Sequence, residues 1–272
     1  MRQRIRKLAR ELVPPVVTRL RKGRASGSGL CFTGDYPSWE AARRASHGYD
    51  SPWIADKVKD AMLKVRDGEA AYERDSVLFD KVQYAWPLLA GLLWIASRCG
   101  NRLDLVDFGG SLGSSYYQNR RFLAHLEHLR WSIVEQGLLV EHGKNHFENR
   151  HVRFYRDLDE CFLEQAPEAI LLSGVLQYLE DPYGLLERID RLGFEYVIVD
   201  RTSFMEREGD KLVVQKVPPH IFDASYPCWF LDVRRFLDAM GASFDLVADF
   251  ESFERADIDG SAFKGFIFRR RS

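Results

Sequence analysis

The sequence predicts an α/β chain in which helices flank a doubly wound, mostly parallel sheet of seven strands that ends in an antiparallel hairpin. From Leu103 onward, short apolar runs alternate with helical stretches, the mark of parallel strands joined by crossover helices. The run 103–108 passes directly into a glycine turn, Gly109, Gly110 and Gly113, and then into a helix. The last two strand runs, 244–250 and 263–268, are joined by 251–262, which has no room for a convincing helix, so they return antiparallel at a sheet edge.

The elements follow in order. Ile5, Leu8, Ala9, Leu12 and Val13 form an apolar stripe at helical spacing, with arginines and Lys7 over most of the remaining surface. Pro14 and Pro15 stop or kink that helix, and Val16, Val17 and Leu20 extend its apolar character. A Gly/Ser stretch, 23–29, reads as a linker. Helical patterns at 38–45, 53–66 and 82–98 make residues 30–100 a helical region, and the apolar run 86–96, too short to cross a bilayer, predicts a buried helix. Phe32, Gly34, Tyr36, Trp39 and residues 48–51 read either as a cap over a pocket or as aromatics closing the core from outside. Strands are expected at 103–108, 131–135, 152–155, 169–173, 196–200, 244–250 and 263–268, within a sheet-bearing domain of residues 101–272. This is a Rossmann-like layout, in which the turn after the first strand faces an adenosine-containing ligand.

Composition excludes several classes. A chain that is 46% hydrophobic and 29% charged is neither disordered throughout nor a membrane bundle. Cys31, Cys99, Cys161 and Cys228 show no CxxC spacing, which argues against a zinc site and a disulfide framework. A cytoplasmic location without a secretory leader is expected. Charge is uneven: residues 1–24 hold nine Lys or Arg against Glu11 alone, while the rest carries 30 basic and 39 acidic residues. An acidic body does not suit nucleic acid. The basic N-terminus suits an anionic membrane surface, at roughly 1 kcal/mol per basic residue near the lipid, and equally a solvated basic helix.

Glycines in the first turn let backbone approach a ligand closely, and the helix behind them offers free N–H groups. Glu135 ends the second strand 22 residues after Gly113, where an acid accepts hydrogen bonds from ribose hydroxyls. Asp107 beside the turn favours a cationic amino-acid portion and would repel a pyrophosphate.

Residues 107–113, DFGGSLG, resemble motif I of class I S-adenosylmethionine-dependent methyltransferases, with Glu135 as the acid of motif II and LSGVLQYLEDP, 172–182, as the segment after strand four. More narrowly, FGGSLGSSYYQNR, WSIVEQG, SGVLQYLEDP and GYDSPW together resemble a bacterial methyltransferase group associated with surface-polysaccharide biosynthesis. The resemblance runs from about Phe32 to Arg270. It departs from the usual pattern at Ser111, in place of the middle glycine, and at Gln177, where many relatives have histidine.

The resemblance implies S-adenosylmethionine as cofactor, held by Asp107, Gly109, Gly110, Ser111, Gly113 and Glu135, with Asp157 near the adenine and Ser173 and Gly174 beside the sulfonium. It implies a sugar or glycan precursor as acceptor, methylated on oxygen; the basic N-terminus is the part expected to hold such an enzyme peripherally at the inner membrane face. A hydroxyl acceptor must lose a proton, and His220, following Pro218 and Pro219, is the first candidate base, with Tyr226, Asp200 and Asp223 as neighbours. The pairs His125/His128 and His142/His146 lack an HExxH pattern, and no metal site is expected. The 116–120 run, YYQNR, either reads substrate or packs its tyrosines into the core. A nicotinamide-dependent oxidoreductase and a non-catalytic binding module stay open as alternatives.

Overall fold

The structure, a computed structural model, describes residues 31–47, 52–74, 76–218, 221 and 223–271. The basic segment 1–24, its linker, residues 48–51 and His220 lie outside the described residues. The chain begins with strand β1 (Cys31–Thr33), helix α1 (Trp39–Arg44), helix α2 (Pro52–Arg66), the hairpin β2 (Tyr72–Arg74) and β3 (Val77–Phe79), and helix α3 (Trp86–Arg98). Helix α1 starts at Trp39 because the Ser38 hydroxyl accepts the Ala41 N–H at 3.2 Å. Helix α3 starts four residues later than the periodicity predicts, with Pro87 in its first turn, where a missing N–H costs nothing.

The βα alternation follows: β4 (Arg102–Phe108), α4 (Ser114–Leu123), β5 (His128–Val134), α5 (Gly137–His146), β6 (Val152–Tyr155), α6 (Leu158–Glu164) and β7 (Ala169–Ser173). After a 3-10 turn at Leu176–Tyr178 come α7 (Pro182–Leu192), β8 (Tyr196–Met205), β9 (Lys211–Lys216), β10 (Ser225–Asp232), α8 (Val233–Gly241), β11 (Phe244–Glu251) and β12 (Ser261–Arg270). The seven expected strands lie side by side as β6-β5-β4-β7-β8-β12-β11, parallel except β12, which runs antiparallel to both β8 and β11.

Alternation along these strands explains the layers. Leu103 and Leu105 of β4 and Leu171 of β7 face a core shared with Met62, Leu88, Leu92, Ile95 and Tyr116 from α2, α3 and α4. Val106, Ile170 and Leu172 face the opposite core with Cys161, Leu186, Ile189, Phe236 and Met240 from α6, α7 and α8. Burial on both faces makes these strands continuous apolar runs.

Three strands of the sheet lie outside the expected seven. The far end of β8 pairs with β10, and β10-β9-β1 carries the sheet onward, for ten strands in all. This corrects one expectation and decides another. The 196–200 strand extends to Met205, and of the two readings of Phe32, Tyr36 and Trp39 the structure takes the second. Phe32 meets Phe230 edge-on at 5.1 Å, Trp39 stacks on Trp229 at 6.2 Å, and Tyr36 packs beside Leu212 and Val214, so these aromatics close the added strands from outside.

Candidate cofactor and acceptor site

The C-terminal ends of β4, β5, β7 and β8 gather the candidate residues along one edge, at the switch point where the chain winds from β4 to β5 on one side and to β7 on the other. Asp107, the last residue but one of β4, is 1% exposed and takes the Trp131 indole N–H on Oδ2 at 2.9 Å, while Oδ1 has no partner. Burial pushes its carboxyl up to about 7, with the Trp131 bond opposing and the Glu135 charge adding to the rise.

The turn is shaped by contact. A Cβ on Gly109 would stand 2.5 Å from Val175 Cγ2, and φ there is +70°, so this residue is glycine on both steric and backbone grounds. A Cβ on Gly110 would stand 2.5 Å from Asp107 Cγ, so only glycine leaves the buried carboxylate its place. Ser111, the non-glycine residue in the middle of the turn, is strained, with φ +52°. Its N–H donates to Glu135 Oε1 at 3.3 Å, and the Gln136 N–H donates to Oε2 at 2.6 Å. Glu135 is the first residue past β5, partly exposed, and burial of its carboxyl raises its pKa against those two bonds. Gly113, at φ +93°, precedes α4 with no side-chain cap.

On the β7 side, Gly174 has φ +65° and donates its N–H to the Asp200 carbonyl at 2.8 Å. The Ser173 hydroxyl donates to Asp200 Oδ2 and the Ser252 hydroxyl to Oδ1, both at 3.3 Å. Asp200 is 2% exposed, and burial raises its carboxyl. Asp157 is exposed and caps α6, its Oδ1 accepting the Glu160 N–H at 2.7 Å. Tyr226 stands apart on β10, in edge contact with Tyr178 at 5.1 Å and accepting the Gln215 amide at 3.0 Å. Tyr116 and Tyr117 belong to the core, against Trp131 and Phe147 respectively.

Sequence reasoning missed a second group around β8. Lys264 pairs with Thr202 and Phe266 with Val199, so Asp200 and Arg201 together oppose Gly265 in a β-bulge, and Arg201 takes φ +52°. Its N–H donates to Ser252 Oγ at 3.2 Å and its Nε to Glu254 Oε1 at 2.7 Å, while its carbonyl accepts the Gln177 amide at 3.0 Å. Glu254 also meets Arg74 Nη1 at 3.4 Å, and the adjacent Glu73 accepts the Ser114 hydroxyl at 2.7 Å. The β2–β3 hairpin thus joins the first turn of α4 to the bulge of β8. The usable signal was charge at the end of a strand-like run: Asp200-Arg201 follows the apolar run 196–199.

No family model and no curated protein matches this chain. Among solved structures, the N-terminal domain of EvdMO1, crystallised in the presence of SAH and D-fucose, aligns at 15% identity with a TM-score of 0.48, over 83% of this chain and 100% of that one. Magnesium protoporphyrin IX methyltransferase from Synechocystis PCC 6803, with bound SAM, aligns at 11% identity and 0.44, over 83% and 87%. The 1,6-didemethyltoxoflavin-N1-methyltransferase of Burkholderia thailandensis aligns at 15% and 0.42, over 84% and 99%.

Proposed function

We propose that this chain is an S-adenosylmethionine-dependent methyltransferase that methylates a hydroxyl of a sugar or glycan precursor. The observation that carries the reading is the buried Asp107 carboxyl under Gly110, one oxygen unpartnered, beside Glu135 at the end of the neighbouring strand. A ligand with an ammonium at one point and a ribose diol at another fits that pair, and a pyrophosphate does not. Gly109, Gly110, Ser111 and Gly113 shape the turn it lies on, and Ser173 and Gly174 flank it from β7; Asp157 is the proposed contact to the adenine. When bound, the cofactor supplies a sulfonium methyl with a neutral thioether as leaving group. The protein's part is placement and exclusion of water. Removal of the acceptor proton is proposed for His220, with Tyr226 on β10 as the second candidate.

Calorimetric titration of the full chain with S-adenosylhomocysteine and, separately, NADH and NADPH tests the cofactor. Binding of S-adenosylhomocysteine on the order of micromolar is expected; binding of a nicotinamide in its place overturns the reading. Transfer of labelled methyl into lipid-linked glycans or nucleotide sugars tests the acceptor, and cofactor binding without transfer to any fraction favours a binding module. No helix of the described residues is long and apolar enough to cross a membrane. The basic segment 1–24 is proposed to rest on anionic lipid, and unchanged sedimentation with anionic vesicles after its deletion would sink that part.

A further inference from the structure

Arg201 is a strained point beside the candidate site. A non-glycine residue in the left-handed region is strained, and strain of this kind collects where the surrounding structure over-determines it, often at ligand sites. Here Ser252, Glu254 and Gln177 hold it by three bonds. A Cβ on Gly174 would lie 3.8 Å from Arg201 Cβ, so the bulge borders the end of β7.

Around the bulge, one connected chain of side chains leaves buried polar atoms unmatched. Gln177 is 1% exposed; its Nε2 is committed to the Arg201 carbonyl, and its Oε1 has no partner. Glu254 shares Oε1 between Arg201 and Arg74 and leaves Oε2 without one. Arg74 donates Nη2 to Gln83 Oε1 at 2.9 Å and leaves its Nε unmatched. Each such atom is left without the hydrogen bond it had in water, a cost that a ligand group in the right place removes.

We propose that Gln177, Glu254 and Arg74 form the acceptor subsite and read adjacent hydroxyls of an uncharged pyranose ring. The proposal rests on the methyltransferase reading and names what that enzyme recognises. A hydroxyl both donates and accepts, which matches two unmatched oxygens and one unmatched N–H lying along a single hydrogen-bonded chain. Arg74 and Arg201 both pair with Glu254, the buried Glu73 adjoins Arg74 on β2, and the neighbouring Arg255 pairs with Glu251, so three cations meet three carboxylates and the group has no surplus cation to attract a phosphate or carboxylate. Its link to the cofactor turn is physical: Glu73, next to Arg74 on β2, bonds Ser114 in the first turn of α4.

Saturation-transfer NMR on the full chain, with and without S-adenosylhomocysteine, tests it using neutral methyl hexopyranosides against hexuronates and hexose 6-phosphates. Neutral rings are expected to receive transfer and the charged rings about tenfold less. In Gln177→Leu and Arg74→Met the neutral-ring affinity is expected to fall by about tenfold, with S-adenosylhomocysteine affinity within about twofold of the parent. Arg74 sits on the hairpin off the main sheet, so Arg74→Met decides if Gln177→Leu does not fold. Neutral-ring binding unchanged in the folded variants, preference for charged rings, or no transfer from any neutral ring overturns the subsite. Failure of the parent chain to bind S-adenosylhomocysteine overturns the cofactor reading instead, while the ring measurement without it still scores the subsite.

Discussion

At the scale of the residue, Asp107 couples stability to ligand. Its carboxyl is raised by burial to about 7, so the folded chain keeps a proton there that the unfolded chain releases near the ordinary carboxylate range. That contribution is present at low pH and is lost as pH rises to about 7. Asp107→Asn retains an acceptor for Trp131 and has no charge to bury, so by chemical denaturation it should be more stable than the parent at pH 8. A gain on the order of 2 kcal/mol is expected, shrinking toward acid pH. A cationic ligand needs the ionised form, so cofactor affinity should drop about tenfold per unit below pH 7 in the parent. In Asp107→Asn the affinity should be weak and flat with pH. Gly110→Ala drives a methyl into the Asp107 carboxyl group; calorimetry should show S-adenosylhomocysteine affinity reduced about tenfold or more, alongside a stability loss of about 1–3 kcal/mol. Asp107, Gly110 and Glu135 were legible because a glycine turn and an acid at the next strand end are local patterns. Arg201 and Glu254 were not, because their pairing joins residues 53 apart through a bulge that exists only once β12 lies against β8.

At the scale of the element, the β2–β3 hairpin was the largest omission near the site. Its strands are three residues each, too short for alternation to register. In the fold Glu73 is 2% exposed and bonded to Ser114 and the Ser76 N–H. Ser114→Ala withdraws a hydroxyl from that buried carboxylate, and a loss of about 2 kcal/mol is expected by urea unfolding. Amides of 72–79 should exchange faster while those of β4 and β7 keep their protection; uniform acceleration across the sheet would mean that the hairpin is not separately tethered. Strands β9 and β10 went unread for a different reason: β9 pairs antiparallel with β10 and with β1, and among the described residues no helix separates β9 from β10 to announce a βα unit.

At the scale of the molecule, β12 closes the sheet. It lies between β8 and β11, with Phe263, Phe266, Ile267 and Phe268 buried on its two faces. Removing 261–272 would expose one edge of β8 and strip β11 of its partner, so thermal unfolding followed by circular dichroism should lose its cooperative transition; a retained sharp transition would show that the terminal strand is dispensable. The sequence by itself determined the βα alternation, the reversed terminal hairpin and the glycine turn between Asp107 and Gly113, because each follows from side-chain periodicity or backbone freedom within a few residues. Only the tertiary structure decided which polar groups are buried together. The bulge at Arg201, the sharing of Glu254 with Arg74 and the unmatched Gln177 oxygen arise from contacts between distant segments, where burial strips water from a polar atom and makes its partner, or the lack of one, count.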